Sequence, residues 1–518
     1  MSSDRISPPS ALLLLPPPPA ISFDQFRAVY EPVLSAVFAN LLKAINGSNK
    51  IASLDIALSL PGLQSPSCQP PTKAFASLQR IVEHMYRLIG IICLERKIEM
   101  EAPGGIDARV ILLDFDSIKT TTAGSGSVKR NGPIVDVKTL ASSGRLWDSI
   151  FYPHTPVGQD LEKGFSSFYA STKDPNGGVP QPVQGVPQWI PGQTLVIPDE
   201  ASEASLHHSV ILGGTFDHFH IGHKLLLTAT ALVLQPAETV GPEKERTITV
   251  GVTGDDMLKN KKFAQFLESW DERCRSTIAF LTAIMDFCPP EAEPSHIKQI
   301  YNPGPNGRAM ILKIRPGISL KMAQILDPYG PTITEEDLSA LVVSKETRSG
   351  GAAVNQERAK RNWKQLEVFE VDVIHSGEVP SEDVESFESK ISSTDIRRRR
   401  MELAMIYLSE TAGQGDDIDS QQYLQAASWG KPLEVKPLKF YLGRVWGGAL
   451  QPFSSIRPPS PTQLGHLPQP ECYGQGGFDP ILHELAAVIP VSVPQQVARC
   501  QGLVMECPST QTEGVRPR

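Results

Sequence analysis

Val210-Ile-Leu-Gly-Gly-Thr-Phe-Asp-His-Phe-His-Ile-Gly-His223 is the stretch on which the fold turns. Its first three residues form an apolar run that reads as a buried strand. The run stops at Gly213-Gly214, which permit a tight turn and close approach of backbone to a ligand. Thr215, Phe216 and Asp217 follow, then His220 and His223, separated by Ile221 and Gly222. Beyond them Leu225, Ala229, Leu232 and Val233 recur at the spacing of one helix face. The order is strand, glycine turn, two histidines, helix. A helix N-terminus carries unpaired N–H groups and partial positive charge, a ready place for phosphate. Two imidazoles aimed there suggest a nucleoside triphosphate whose chain is cut. Taken alone, the pair also fits two polar residues at a helix start. Metal ligands on a helix favour i, i+4 spacing with a third ligand nearby, so no metal ligand set is expected here.

A chain of 518 residues suffices for two or three domains at ~150 residues each. Apolar residues make up 40% and charged residues 20%, a globular composition diluted by 45 prolines and 40 glycines. The net charge of -8 argues against nucleic acid as a partner, since such binders carry a basic footprint. Seven cysteines lie scattered, without a CxxC pair or a His/Cys cluster, which argues for a reducing compartment and against a structural zinc. Ala11–Leu15 after Arg5 has the flavour of a signal peptide but is too short, and Pro16–Pro19 break it. No run approaches the ~18 apolar residues of a membrane span. The expectation is a cytoplasmic protein with no membrane partner.

Residues 1–150 read as an α/β region of unassigned role. Helical spacing runs over Phe23–Ile45, interrupted by Pro32, and over Ser77–Ile98, and Ala108–Asp116 reads as a strand. Gly124–Lys129 lacks the GxxxxGK[ST] spacing of a phosphate loop and reads as a surface loop. Residues 151–205 are rich in Pro, Gly and Ser and read as a linker. Residues 206–412 form the second domain. In it Thr247–Val252 is a strand ending in Thr253-Gly-Asp-Asp256, followed by Lys259, Lys261 and Lys262. A helix starts near Glu272, and Ala309–Ile314, Leu341–Val343 and Val368–Ile374 read as strands. Alternating strands and helices predict a Rossmann-like parallel sheet with right-handed crossovers and a ligand beyond the strands' carboxyl ends. Residues 413–518, again rich in Pro and Gly, read as a tail of low structure.

A counterpart to the opening stretch comes late in the chain. Lys390-Ile-Ser-Ser-Thr-Asp-Ile-Arg397 places Ser392, Ser393 and Thr394 where a helix begins, with Arg397 one turn on. Hydroxyls and free N–H groups at such a turn hold phosphate oxygens, and a guanidinium can bind phosphate through two N–H groups. Taken alone, this is also a plain N-cap before the basic run Arg397–Arg400. Lys259 and Lys261 are point charges that can follow phosphoryl charge.

GGTFDxxHxGH with a later ISSTxxR stretch resembles the HxGH nucleotidyltransferases. Leu326-Asp-Pro-Tyr-Gly-Pro331, Val343-Ser-Lys-Glu-Thr347, Gly350-Gly351, Asn355 and Arg358 narrow the resemblance to the eukaryotic and archaeal type of phosphopantetheine adenylyltransferase, over about 207–405. Residues 1–150 resemble the non-catalytic N-terminal region of animal coenzyme A synthase. The resemblance implies an α/β nucleotidyltransferase domain that moves AMP from ATP to 4'-phosphopantetheine, with Mg2+ on the nucleotide. It implies that Gly213, Gly214, Thr215 and Phe216 bind the nucleotide, with Thr215 holding the attacking phosphate near the α-phosphate. His220 and His223 would contact the phosphates and stabilise the transition state. Lys259 or Lys261 would orient phosphopantetheine, Ser392, Ser393, Thr394 and Arg397 would grip the departing pyrophosphate, and Arg358 would bind phosphate. A complex with other coenzyme A pathway enzymes is a further expectation. Arg348-Ser349 stands where animal relatives tend to have Tyr-Arg, and 288–314 exceeds their length, as a surface insertion would. No GxxxxGK[ST] occurs, so a single activity is expected, with dephospho-coenzyme A kinase on another chain.

Three rivals compete. A cytidylyltransferase of lipid-headgroup synthesis shares HxGH but not the LDPYGP and VSKET pieces. A class I aminoacyl-tRNA synthetase shares HIGH, against which stand the acidic charge balance and the missing anticodon-type domain. A non-enzymatic scaffold with a degenerate transferase domain sits poorly with His220, His223, Lys259 and Arg397 all in place.

Overall fold

A computed structural model describes residues 8–46, 50–100, 102–116, 131–169, 177–186, 189–192, 195–198, 205–236, 239, 245–288, 297–301, 307–314, 317–372 and 392–412, all within one compact unit, Met1–Gly448. The tail at 413–518 and the Gly124–Lys129 loop lie outside the described residues.

The first sheet runs β4-β3-β2-β1-β5-β6, with every neighbour parallel. Its strands are β1 (Ser10–Leu15), β2 (Ala52–Ser59), β3 (Ile106–Asp114), β4 (Ile134–Asp136), β5 (Ser149–Pro153) and β6 (Pro180–Val183). The leucine run that mimics a signal peptide is the central strand. Leu13 and Leu15 enter one core and Leu12 and Leu14 the other, so both faces must be apolar. Helices α1 (Phe23–Ile45) and α2 (Phe75–Glu95) cover one face, and α3 (Val137–Ala141) and α4 (Pro156–Tyr169) the other. Contrary to the sequence expectation, α1 is long and apolar enough to cross a membrane by length and composition. Its Phe26, Tyr30, Val33 and Phe38 instead fill the protein core.

The linker expected at 151–205 is corrected by the structure. The boundary at 150 cuts through β5, and α4 and β6 lie inside the supposed linker. Trp189 donates its indole N–H to the Pro17 carbonyl at 2.9 Å and packs edge-on against Tyr30. Proline misled the reading because β6 is an edge strand, where a missing N–H costs no ladder bond. The first domain therefore reaches at least Leu195, which is buried in its core.

The second sheet has seven strands in the order β13-β12-β7-β8-β11-β10-β9. They are β7 (Ser209–Gly214), β8 (Arg246–Thr253), β9 (Ile297–Ile300), β10 (Ala309–Ile314), β11 (Ile318–Ile325), β12 (Ala340–Ser344) and β13 (Glu367–Val371). Pairing is parallel from β13 through β11, while β9 and β10 run antiparallel on the edge. So Ala309–Ile314 is a strand as expected but of the opposite sense, and the long 288–314 stretch extends the sheet rather than lying on the surface alone. Helices α5 (Ile221–Val233) and α6 (Trp270–Met285) pack on one face, and α7 (Arg348–Lys360) on the other against Ile211, Leu341 and Val343. Helix α8 (Ser393–Ala412) follows. Strand order reverses between β7 and β12, which puts the crevice beyond Gly214 and Ser344. One apolar cluster runs from α2 of the first domain into α5 of the second.

Candidate active site

The turn after β7 is held in a conformation that ordinary residues avoid. Phe216 (φ 54°) and His218 (φ 48°) are both left-handed, at a cost on the order of 1–3 kcal/mol each that neighbours must offset. Asp217, fully buried, supplies much of that hold. Its Oδ1 accepts the Glu268 N–H at 2.9 Å, and its Oδ2 accepts from the Arg397 guanidinium. The His218 N–H donates to Glu268 Oε2 at 2.9 Å, and its Nε2 pairs with the Phe266 carbonyl at 2.7 Å. From α6, buried Arg273 donates to the Thr215 carbonyl at 2.6 Å, the Thr253 carbonyl at 2.8 Å and Asp255 Oδ1 at 2.7 Å. It thus joins the ends of β7 and β8. Asp217, His218 and Glu268 bring potential metal-ligand atoms within 4.8 Å of one another. The Asp217 oxygens, Glu268 Oε2 and His218 Nε2 have protein partners and brace the turn, while His218 Nδ1 is buried without a hydrogen bond, 3.8 Å from Glu268 Oε1.

His220 is the N-cap of α5, and its Nδ1 accepts the Gly222 N–H at 3.2 Å. The His223 Nδ1 accepts the His220 N–H at a longer 3.5 Å. With both Nδ1 atoms accepting, the proton of each neutral ring belongs on Nε2, an assignment from the hydrogen-bond network. The rings stack with centroids 3.9 Å apart. Desolvation lowers the His220 pKa to about 3 and pushes His223 well below its usual range, with the neighbouring histidines adding to each effect. Both are therefore neutral N–H donors at pH 7. Gly222 leaves room for the His220 ring, since a Cβ there would lie 3.0 Å from its Cε1 and press the ring aside by a few tenths of an ångström. Gly214 likewise leaves room for the Phe216 ring, 2.9 Å from where a Cβ would stand. Phe216 was expected to touch nucleotide. Its side chain is fully buried, with its ring centroid 5.3 Å from that of His223.

The three motifs converge as expected, but two arginines have other work. Arg397, 2% exposed, donates to Asp217, to the Lys262 carbonyl at 3.0 Å and to Thr394 Oγ1 at 3.1 Å. It is a buried tie between the glycine turn, the lysine loop and α8, not an open grip on pyrophosphate. The Ser393 hydroxyl donates to the Asp217 carbonyl at 2.7 Å, and Ser392 Oγ accepts the Asp395 N–H at 3.2 Å. The hydroxyls thus cap and dock α8, bringing a second helix N-terminus to the turn that starts α5. Arg358, assigned to phosphate from the sequence, is also corrected. It is fully buried and donates to the carbonyls of Thr332, Glu335, Glu336, Leu338 and Lys364. It fixes the turn after LDPYGP, while Asn355 brackets the backbone of Leu366. Arg348 lies exposed at the start of α7, paired with Glu370 at 2.8 Å. Lys259 and Lys261 are exposed on the loop beyond β8, with Lys259 2.6 Å from Asp256. Gly213 is exposed and Thr215 partly so, at the mouth of the crevice.

Arg273, Asp217 and Glu268 received no role from the sequence. For Arg273 a signal existed, since it shares a helix face with Trp270, Thr277 and Leu281, where a charge must have partners. Glu268 gave none, because its contacts come from a turn fifty residues earlier.

Residues 211–399 match a cytidylyltransferase-like family model, and residues 1–188 match a domain of unknown function (DUF8446). The phosphopantetheine adenylyltransferase of Pyrobaculum aerophilum is 31% identical over 192 residues, 37% of this chain and 90% of that protein. The chain belongs to the phosphopantetheine adenylyltransferase family. The phosphopantetheine adenylyltransferase of Saccharomyces cerevisiae is 31% identical over 196 residues, 38% of this chain, and the match spans half of that relative's length. An uncharacterised protein of Schizosaccharomyces pombe is 29% identical over 266 residues, 51% of this chain and 69% of that protein. The second domain is a nucleotidyltransferase, as the HxGH resemblance implies.

Proposed function

We propose that the chain transfers AMP from MgATP to 4'-phosphopantetheine, giving dephospho-coenzyme A and pyrophosphate. The observation that carries this reading is the meeting, at one strand end, of the Gly213–His223 turn, the Lys259–Lys262 loop and the start of α8, joined by the Asp217–Arg397 pair. The nucleophile is a phosphate already ionised at neutral pH, so no general base is required. What remains is positioning and charge stabilisation of an in-line displacement.

In this reading Gly213, Gly214 and Thr215 admit the α-phosphate and the attacking phosphate close to backbone. The Nε2–H groups of His220 and His223 donate to the oxygens that gain charge in the transition state. Neutral imidazoles suit that task because they need no counterion in the desolvated cleft. Lys259 and Lys261 supply mobile positive charge for the acceptor's phosphate. The N-terminal N–H groups of α8, with Thr394 at their edge, receive the pyrophosphate. Magnesium arrives on the nucleotide as part of the substrate. The test is pyrophosphate release by the purified protein with MgATP, with and without phosphopantetheine, and with CTP replacing ATP. Release that requires both ATP and phosphopantetheine is expected. Release with CTP and not ATP would overturn the reading in favour of a cytidylyltransferase.

A further inference from the structure

The first domain has a doubly wound topology, in which a ligand crevice lies where strand order reverses, here between the carboxyl ends of β1 and β5. That end of β1 is covered by the chain itself. The Pro16 carbonyl accepts from the buried Tyr30 hydroxyl at 2.7 Å, Pro17 accepts from Trp189, and Pro18 from the Gly192 N–H at 2.9 Å. What the domain does present to its neighbour is a carboxylate beneath the catalytic helix. Lys224 directly follows His223, is 2% exposed, and donates to Asp107 Oδ1 at 2.6 Å and the Ala108 carbonyl at 3.0 Å. Both acceptors lie on β3. Asp107 is steadied by Arg109, 3.2 Å away, which also faces Asp55. Two further ties flank the clamp. Gln79 on α2 bonds Asp372 beyond β13 at 2.6 Å, and Glu99 pairs with Arg399 on α8 at 3.3 Å.

We propose that Asp107 is a positioning residue for nucleotidyl transfer: by anchoring the Lys224 ammonium it sets the first turn of α5, and with it the direction in which His220 and His223 aim their Nε2–H groups. The proposal rests on the nucleotidyl-transfer reading above and gives the first domain a part in it. A buried ammonium is costly to desolvate, and an apolar side chain of that length would fill the same space without the cost. A lysine there has a use as a fixed point between two sheets. Catalytic rates are steep in such geometry, since a shift of about 1 Å can cost ~10²-fold.

The test compares Asp107→Asn, Lys224→Met, the double variant and Asp107→Glu. Asp107→Asn leaves the buried Lys224 ammonium without a counter-charge and lowers Tm, Lys224→Met leaves Asp107 with Arg109 as its remaining cation and lowers Tm less, and the double variant regains much of the Tm lost in Asp107→Asn. The double variant's kcat for pyrophosphate release stays down ~10–100-fold with KM for ATP little changed. Asp107→Glu keeps charge and fold but moves the carboxylate, so kcat falls with Tm near that of the parent. Ring resonances of His220 and His223, read by NMR without substrate, move in both the double and the Glu variants. Recovery of kcat together with Tm in the double variant, or unmoved histidine resonances, would overturn the proposal. If the parent protein transfers no nucleotidyl group, the functional reading fails separately, and the resonances still decide whether Asp107 sets the imidazoles.

Discussion

Arg397→Met removes a guanidinium that reaches three parts of the chain at once: Asp217 in the glycine turn, the Lys262 carbonyl in the lysine loop, and Thr394 at the start of α8. Asp217 is fully buried and would keep the Glu268 N–H as its donor without a balancing positive charge in that pair. Breaking a buried pair from one side costs about 3–5 kcal/mol, because the remaining charge is left in a poor solvent. At ~2–4 °C per kcal/mol for a domain of this size, Tm should fall by roughly 6–20 °C. Calorimetry measures the fall, and pyrophosphate release at saturating ATP reports whether the surviving fold still turns over. Asp217→Asn combined with Arg397→Met removes both charges and should recover a large part of the lost Tm. A tenfold or larger rise in KM for ATP with Tm unchanged would refute the tie and return Arg397 to a direct phosphate contact.

His223→Ala should lower kcat by about 10²–10³, as for loss of one transition-state donor, with Tm nearly unchanged; near-normal turnover would remove His223 from the chemistry. Gly222→Ala should hold or slightly raise helix stability while lowering kcat, because the new Cβ presses the His220 ring at 3.0 Å; equal kcat in the two proteins would show that the ring tilt is immaterial. Arg358→Met should cost about 2–4 kcal/mol by leaving several carbonyls unpaired, with KM for both substrates retained in the folded fraction; a KM effect without loss of stability would restore the phosphate role. For pH, the folded values of His218 (about 4), His220 (about 3) and His223 lie below an unfolded value near 6.5. Below about pH 6.5 the unfolded chain takes up protons that these rings refuse, so stability falls as pH drops from there and is level above. His84, lowered to about 4 by burial, and His207, also lowered by burial, add to this slope, while Glu83, raised to about 7 by burial, and Asp114 and Glu268, raised by burial, oppose it. Urea midpoints from pH 4.5 to 8 measure the slope, and a midpoint that rises on acidification would contradict the neutral-imidazole assignment.

Local structure could be read from the residues alone. The strand, turn and helix at 210–233 follow from an apolar run, two glycines and a 3.6-residue repeat, all properties of near neighbours. The position of α1 and the presence of β3, β12 and β13 were legible for the same reason, while the strand ends were placed only to within a few residues. The alignment of GGTFD, the lysine loop and ISSTxxR on one site was implied by motif order. Tertiary structure decided what each charged residue is for. Arg397 and Arg358 have the sequence signature of phosphate ligands, yet each is buried with its N–H groups spent on the protein, and burial depends on segments distant in sequence. Asp217 acquires its role only when α8 returns after some 180 residues. The supposed linker at 151–205 closes a sheet because an edge strand tolerates prolines that a central strand would reject. Sequence patterns report what a residue can donate or accept, whereas only the fold fixes which partner reaches it first.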